Sequence, residues 1–289
     1  MRKHVVIWSV VAVVLAGAVV VTVARRAQAP ANALESAPEA AVAEALAALE
    51  MDPAAWQRST QAALRAAAVY VEQGRVRTAE GYYVLAVQYQ REQNLSGAEA
   101  LYKRAIALAP DWSRPYDGLG NLLGRHSIGR MQEAKEALRK AIALAPDWSR
   151  PHNSLAVILR IEGKYAQAEA EALTALRLAP QDIGAHNNYA NLLVTLDRYE
   201  EAKEHYRVAI QLEPKHPKPY YNLACLFALQ GRNDEALANL QEAIKREPLL
   251  RRNAADDEDL DPLHDDPRFA RMVMGEETGA THRIDANDS

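Results

Sequence analysis

One eleven-residue phrase, AIALAPDWSRP, occurs twice in the chain, at residues 105–115 and again at residues 141–151. Five prolines continue this repetition at intervals of 36, 34, 34 and 34 residues: Pro110, Pro146, Pro180, Pro214 and Pro248. A fixed period of roughly 20 to 50 residues is typical of a stack of similar structural units. The chain is therefore expected to be a repeat protein and not a single packed globule.

Small residues recur at the same positions of each unit. The twentieth position holds Ala98, Ala134, Ala168, Ala202 and Ala236. The eighth position holds Ala86, Gly120, Ala156, Ala190 and Ala224. Positions 4, 7, 8 and 11 follow the spacing of one helix face, so each unit is predicted to be a helix pair in close contact. Gly163 and Gly231 fall at the predicted turns, where a left-handed residue ends the first helix.

This pattern resembles the tetratricopeptide repeat (TPR), which ends on a proline and has Leu, a small residue and Ala at these positions. The resemblance covers five units: residues 79–112, 113–148, 149–182, 183–216 and 217–250. It implies an all-α superhelix, an α-solenoid of helix-turn-helix repeats with a concave groove. The second unit has two extra residues around GRHSIGRMQ, and His152 and His186 replace the aromatic residue at position 4. Trp112 and Trp148 are expected to pack at the corners between units.

In such arrays, positions 2, 5, 6 and 9 of the first helix line the groove. The residues at these positions that we predict to bind are Arg114, Arg150, Lys218, Asn153, Asn187, Asn188, Asn222, Asn121 and Asn191. An Asn side chain has both a donor and an acceptor, so it can bind both groups of a peptide bond. The cations would favour acidic side chains or a C-terminal carboxylate.

The predicted function is a membrane-tethered scaffold that binds an extended peptide or a partner helix. Asn191 and Asn222 resemble part of the carboxylate clamp of chaperone-binding TPR domains, but Asn187 stands where the clamp has a preceding Lys. One alternative is that these Asn residues are merely tolerated on a solvated helix face. A second alternative is an assembly subunit of an envelope complex, of the secretion, pilus or cytochrome-maturation type, that docks through other surfaces.

The N-terminal segment is predicted to span a membrane. Residues 5–24 carry no charge, and about 20 helical residues cross about 30 Å of hydrocarbon. We assign residues 1–26 to an anchor, with a cleaved signal peptide as the alternative. Its short basic N-terminus favours a body outside the cytoplasm, in a periplasmic location. A flexible linker over residues 27–40 and a helical lead-in over residues 41–78 follow, the latter interrupted at Asp52-Pro53.

After the last repeat, residues 251–275 are predicted to form a C-terminal cap, and residues 276–289 a disordered tail. Leu260, Leu263, Phe269 and Met272 are the expected sealing residues. The acidic run of Asp257, Asp259 and Asp261 mimics calcium ligands but lacks the Gly and the closing Glu of an EF-hand loop, which favours a solvated cap.

Catalysis is not expected, because none of the phosphate-loop, nucleophile-elbow, dinucleotide-binding or zinc-protease motifs occurs. No cofactor or metal is predicted. The single cysteine, Cys225, is expected to be a small buried residue. His152 and His186 are expected to pack and not to bind a metal. A net charge of −4 gives no support for nucleic-acid binding.

Overall fold

The computed structural model describes residues 13–15, 18–20, 37–50, 58–126 and 128–275. Val13–Leu15 (β1) and Ala18–Val20 (β2) pair as an antiparallel ribbon, and valine-rich segments favour such extended structure. The helix predicted over residues 5–24 is therefore not confirmed, and the rest of that segment lies outside the described residues. Among the described helices, none has the length and apolarity needed to cross a membrane. The predicted tail, residues 276–289, also lies outside the description.

From Ala37 to Gly275 the described structure is helical. The helices are α1 Ala37–Glu50, α2 Arg58–Glu72, α3 Ala79–Arg91, α4 Leu95–Leu108, α5 Ser113–His126, α6 Met131–Leu144, α7 Ser149–Ile161, α8 Tyr165–Leu178, α9 Ile183–Thr195, α10 Tyr199–Leu212, α11 Pro217–Leu229, α12 Asn233–Arg246, α13 Leu250–Ala255 and α14 Pro267–Met274. Two 3₁₀ turns, Ile128–Arg130 and Glu258–Leu263, lie between helices.

Consecutive helices pack as pairs from α3/α4 to α11/α12, and these pairs match the five repeats. Each first helix also contacts the second helix of the preceding repeat and the first helix of its neighbour. This arrangement is a TPR-like solenoid. Before it, α1 and α2 form a further pair that packs on α3.

The predicted linker ends earlier than expected. Residues 37–40 are wrong as linker because α1 begins at Ala37, and residues 27–36 lie outside the described residues. The alanine-rich sequence of this segment has high helix propensity, and Pro38 is tolerated because it falls in the first helical turn.

Small residues at positions 8 and 20 allow the paired helices to approach closely. The five alanines at position 20 have no exposed surface. At position 8 of the second repeat, a Cβ atom on Gly120 would lie 2.6 Å from Leu138 Cγ. Glycine is therefore required there by packing and not by backbone conformation.

The turns inside the repeats use one backbone solution. Gly163 and Gly231 have φ of 73° and 69°, which confirms the left-handed turns predicted for them. Gln93 and Asp197 adopt the same conformation in the first and fourth repeats, at φ of 61° and 57°. In the longer second repeat, the 3₁₀ turn ends at Arg130, which pairs with Glu99 of the preceding repeat and with Glu133.

The residue at position 4 ties each repeat to the proline before it. Tyr116 and Tyr220 donate their hydroxyl hydrogens to the carbonyls of Pro110 and Pro214, both at 3.2 Å. In the third and fourth repeats, the Nε2 atoms of His152 and His186 lie 3.3 and 3.0 Å from the carbonyls of Pro146 and Pro180. These histidines thus replace tyrosine in a shared structural role.

The segment after α12 covers the end of the solenoid. Its 3₁₀ turn lies against α11, while α13 and α14 pack on each other and on α12. Leu260 and Leu263 are fully buried, Phe269 is nearly so, and Met272 packs against the same core.

Candidate functional site

The first helices α5, α7, α9 and α11 lie side by side and form one continuous face, which we call the first-helix wall. All of the predicted binding residues are on these helices. Because neighbouring repeats superimpose positions about one repeat apart, side chains from adjacent helices meet on this wall.

Asparagines on the wall form a ladder from helix to helix. Asn188 of α9 donates an amide hydrogen to Asn153 Oδ1 of α7, at 3.1 Å. Asn222 of α11 donates to Asn187 Oδ1 and to Asn191 Oδ1 of α9, at 2.9 and 3.1 Å. Five of the predicted binding residues are therefore brought together by direct hydrogen bonds.

The ladder continues in both directions through residues that the sequence analysis missed. Toward the N-terminus, Ser154 of α7 donates to Asn121 Oδ1 of α5, at 2.8 Å. Toward the C-terminus, Tyr221 of α11 donates to Asp257 Oδ2, at 2.7 Å. Ser154, Tyr221 and Asn222 stand at positions 5 and 6, so the repeat alignment itself carried the signal for them.

The ladder uses only part of each amide. Asn153 and Asn187 accept through Oδ1, and their Nδ2 groups have no partner among the described residues. Conversely, Asn188 and Asn222 donate through Nδ2, and their Oδ1 atoms are unpaired within the same residues. These four groups are not among the buried polar atoms without partners, so each keeps contact with solvent. The wall therefore presents unpaired donors and acceptors side by side.

Asn191 and Asn121 are more fully used. Asn191 Oδ1 accepts from Asn222 and also from the hydroxyl of Tyr206, at 2.5 Å. Asn121 donates to the backbone carbonyl and to Oδ1 of Asp117, at 2.9 and 2.8 Å, while its own oxygen accepts from Ser154. The side chain of Asn121 thus has a structural role.

A buried ion pair explains why Asn121 is held so firmly. The side chain of Asp117 is 1% exposed, and its Oδ2 lies 3.0 Å from Nε of Arg150, whose side chain is 55% exposed. Burial raises the pKa of Asp117, and the positive charge of Arg150 opposes this shift. The amide of Asn121 adds a hydrogen bond to the carboxylate, which a buried charge requires.

The other predicted cations differ in their surroundings. The guanidinium of Arg114 lies 5.8 Å from the ring centroid of Trp148, while Trp112 packs edge-on against Tyr83 at 5.0 Å. Both tryptophans therefore contact residues at the corners between repeats. Lys218 is exposed in the first turn of α11.

Cys225 is buried at position 9 of α11, and its Sγ lies 4.0 Å from Asp257 Oδ2. Burial and the neighbouring carboxylates raise the pKa of this thiol, so it stays protonated at neutral pH. Asp257 also accepts from the backbone N–H of Asp259, at 3.1 Å, and so begins the 3₁₀ turn. Both Asp257 oxygens thus have partners within the fold.

Comparisons with known proteins agree with this architecture. A family profile described as TPR repeat matches residues 190–231, and one described as Tetratricopeptide repeat matches residues 115–147 and 217–248. A search of curated proteins found no significant match.

Solved structures show the same kind of solenoid. A thermophilic TPR protein in Thermus thermophilus is 23% identical, with a TM-score of 0.55 over 68% of this chain and 100% of its own. MamA is 18% identical, with a TM-score of 0.46 over 58% of this chain and 96% of its own. YrrB, described as a TPR protein with an unusual peptide-binding site, is 22% identical, with a TM-score of 0.43 over 66% of this chain and 98% of its own. At these identities the Thermus protein shows the fold alone. Residues 79–250 thus form a solenoid that contains tetratricopeptide repeats.

Proposed function

We propose that the chain is a protein-binding scaffold whose first-helix wall holds an extended peptide segment of a partner protein. The observation that carries this proposal is the half-used ladder of Asn153, Asn187, Asn188 and Asn222. A peptide backbone needs both a donor and an acceptor at regular intervals, and the wall offers both. Hydrogen bonds to the backbone would hold a segment with little regard to its side chains.

The ladder also favours a preformed site. Each amide that would bind the ligand is fixed in orientation by a neighbouring repeat, as Asn153 is by Asn188. A fixed side chain loses less conformational entropy when a ligand binds. Membrane tethering remains part of the proposal and rests on the uncharged sequence of residues 5–24.

Substitution of Asn153 and Asn187 by Asp tests the proposal. Asp keeps the oxygen that accepts from the neighbouring repeat but replaces the free amide donor. We expect each change to weaken binding of an extended, mixed-sequence peptide of about twelve residues by about fivefold, the value of one hydrogen bond. Titration calorimetry with the full-length protein measures this.

Asn239→Asp is the matched control, because Asn239 lies on α12, away from the wall, and donates to the carbonyl of Glu235. It makes the same change of charge and should leave the affinity unchanged. Equal weakening by the control, or undiminished binding in both wall variants, would refute the groove.

An assembly subunit that docks through its outer face is the second candidate. Leu108 and Leu173, both on second helices, are about half exposed, which gives the outer face apolar contact points. Under this alternative, Leu108→Ser and Leu173→Ser would release partners that co-purify from crosslinked cells, while Asn153→Asp would not.

A further inference from the structure

The two ends of the first-helix wall carry opposite charge. The helix spacing that places positions 2, 5, 6 and 9 on the wall also places positions 12 and 13 there. In the second and third repeats these positions hold Arg114, Arg125, Arg150 and Arg160, against the single acid Asp117. This end of the wall therefore has an excess of positive charge.

The acid does not neutralise these arginines. Asp117 is buried beneath Arg150, and the charges of Arg150, Arg114 and Arg125 all lower its pKa against the effect of burial. Arg150 keeps more than half of its side chain exposed, and Arg125 and Arg160 form no ion pair with the described residues. Cations of this kind attract acidic groups from solution.

The opposite end of the wall is acidic. Asp256, Asp257, Glu258 and Asp259, together with Asn253, line an open depression of about 470 Å³. Asp257 joins this cluster to the wall through its hydrogen bond with Tyr221 of α11. Burial raises the pKa of Asp259, and the charges of Asp257 and Glu258 raise it further.

Between the two ends lies the neutral amide ladder of α9 and α11. Packed helices are about 8–10 Å apart, so the three steps from α7 to the acidic turn span about 27 Å. An extended peptide rises about 3.3 Å per residue, so about eight residues cover this distance.

From this arrangement we propose that the wall selects a charge-segregated segment, with acidic residues over the second and third repeats and basic residues about eight positions away, over the acidic turn. This inference deepens the proposed function and rests on it. The ladder would hold the backbone, and the charged ends would fix the direction in which the segment lies. Complementary charge typically sets orientation and selectivity more than total affinity.

Three synthetic peptides test the inference against the full-length protein. The first has four Glu, four Ser and four Lys in blocks, the second has the same residues in alternation, and the third has only Ser and Ala. We expect the block peptide to bind at least tenfold more tightly than the alternating one at low salt. This advantage should fall steeply as salt rises above about 0.15 M, because the attraction is screened.

Two double variants locate the ends. Arg125→Glu with Arg160→Glu, and Asp256→Lys with Glu258→Lys, should each remove most of the block peptide's advantage. Arg139→Glu, an exposed change on α6, should not.

The two proposals fail in different ways. Equal binding of block and alternating peptides, both weakened by Asn153→Asp, would overturn the charge inference and leave the groove. If no peptide binds, the proposed function fails, and the charge inference fails with it.

Discussion

The wall has two halves that share a backbone geometry but differ in chemistry. In the second and third repeats, the ladder surrounds the buried pair of Asp117 and Arg150, and Asn121 has no unused hydrogen-bonding group. In the fourth and fifth repeats, Asn187 and Asn222 bond to each other and keep one group each for solvent. The comparison shows that the same amide is structural where it supports a buried charge and available where its neighbour is another amide.

The largest expected effect tests whether the two halves share one core. Leu159 and Leu193 occupy position 11 of the third and fourth repeats, and both are buried. We expect Leu159→Ala and Leu193→Ala each to lower the free energy of unfolding by about 2–4 kcal/mol, through lost burial and the cavity left behind. Denaturant titration measures both. A difference of more than about 1.5 kcal/mol would mean that the halves differ in packing as well as in surface chemistry.

The sequence was sufficient to predict this shared core. The recurrence of Ala and Leu every 34 residues locates the five helix pairs, because packing depends on spacing within one repeat. The half of each amide that is used could not be predicted. It depends on how side chains such as Asn153 and Asn188 meet across the stack, which requires the rotation between repeats.

The histidines show the same limit. A change from Tyr to His at position 4 reads as a departure from the pattern, yet the ring nitrogen of His186 reaches the carbonyl of Pro180 as the hydroxyl of Tyr220 reaches Pro214. The function of the position is conserved within the chain by a shared donor geometry, which residue type alone does not reveal.

The next effect contrasts two amides. Asn121→Ala would leave the buried carboxylate of Asp117 without a donor, so we expect a loss of about 2 kcal/mol in the free energy of unfolding. Asn188→Ala removes one hydrogen bond at a solvated site and should cost about 0.5 kcal/mol. Peptide affinity should show the reverse order. Equal stability losses in the two variants would contradict the division into a structural half and an available half.

Acid should weaken the stack where ion pairs join the repeats. Hydrogen bonds from Arg130 and Lys103 lower the pKa of Glu99 from 4.5 to about 2. Because this pKa is depressed in the folded state, its stabilisation is present above pH 4.5 and is lost as the pH falls toward 2. We expect Glu99→Gln to lower stability by about 1 kcal/mol at pH 6 and to have little effect near pH 2.

Unfolding titrations at several pH values check this expectation, with Glu136→Gln on α6 as an exposed control. The amides of the ladder do not titrate in this range, so Asn188→Ala should cost the same at every pH. A Glu99→Gln effect independent of pH would show that the ion pair does not stabilise the stack.

The smallest effect concerns ligand binding at the charged half. Asp117→Asn keeps an oxygen for Asn121 and removes one negative charge from beneath Arg150. A unit charge about 10 Å from an acidic ligand group contributes about 0.4 kcal/mol in water, so the block peptide should bind about twofold more tightly. Weaker binding in calorimetry would indicate that Asp117 orients Arg150 for the ligand.

The most direct test observes the ladder amides while a peptide is bound. In nuclear magnetic resonance spectra of the protein, the side-chain NH₂ signals of Asn153 and Asn187 report on their unpaired donors. We predict that both signals move on addition of the block peptide, while the signal of Asn239 on α12 stays in place. A bound peptide that leaves Asn153 and Asn187 unchanged and moves signals of the second helices would contradict the account.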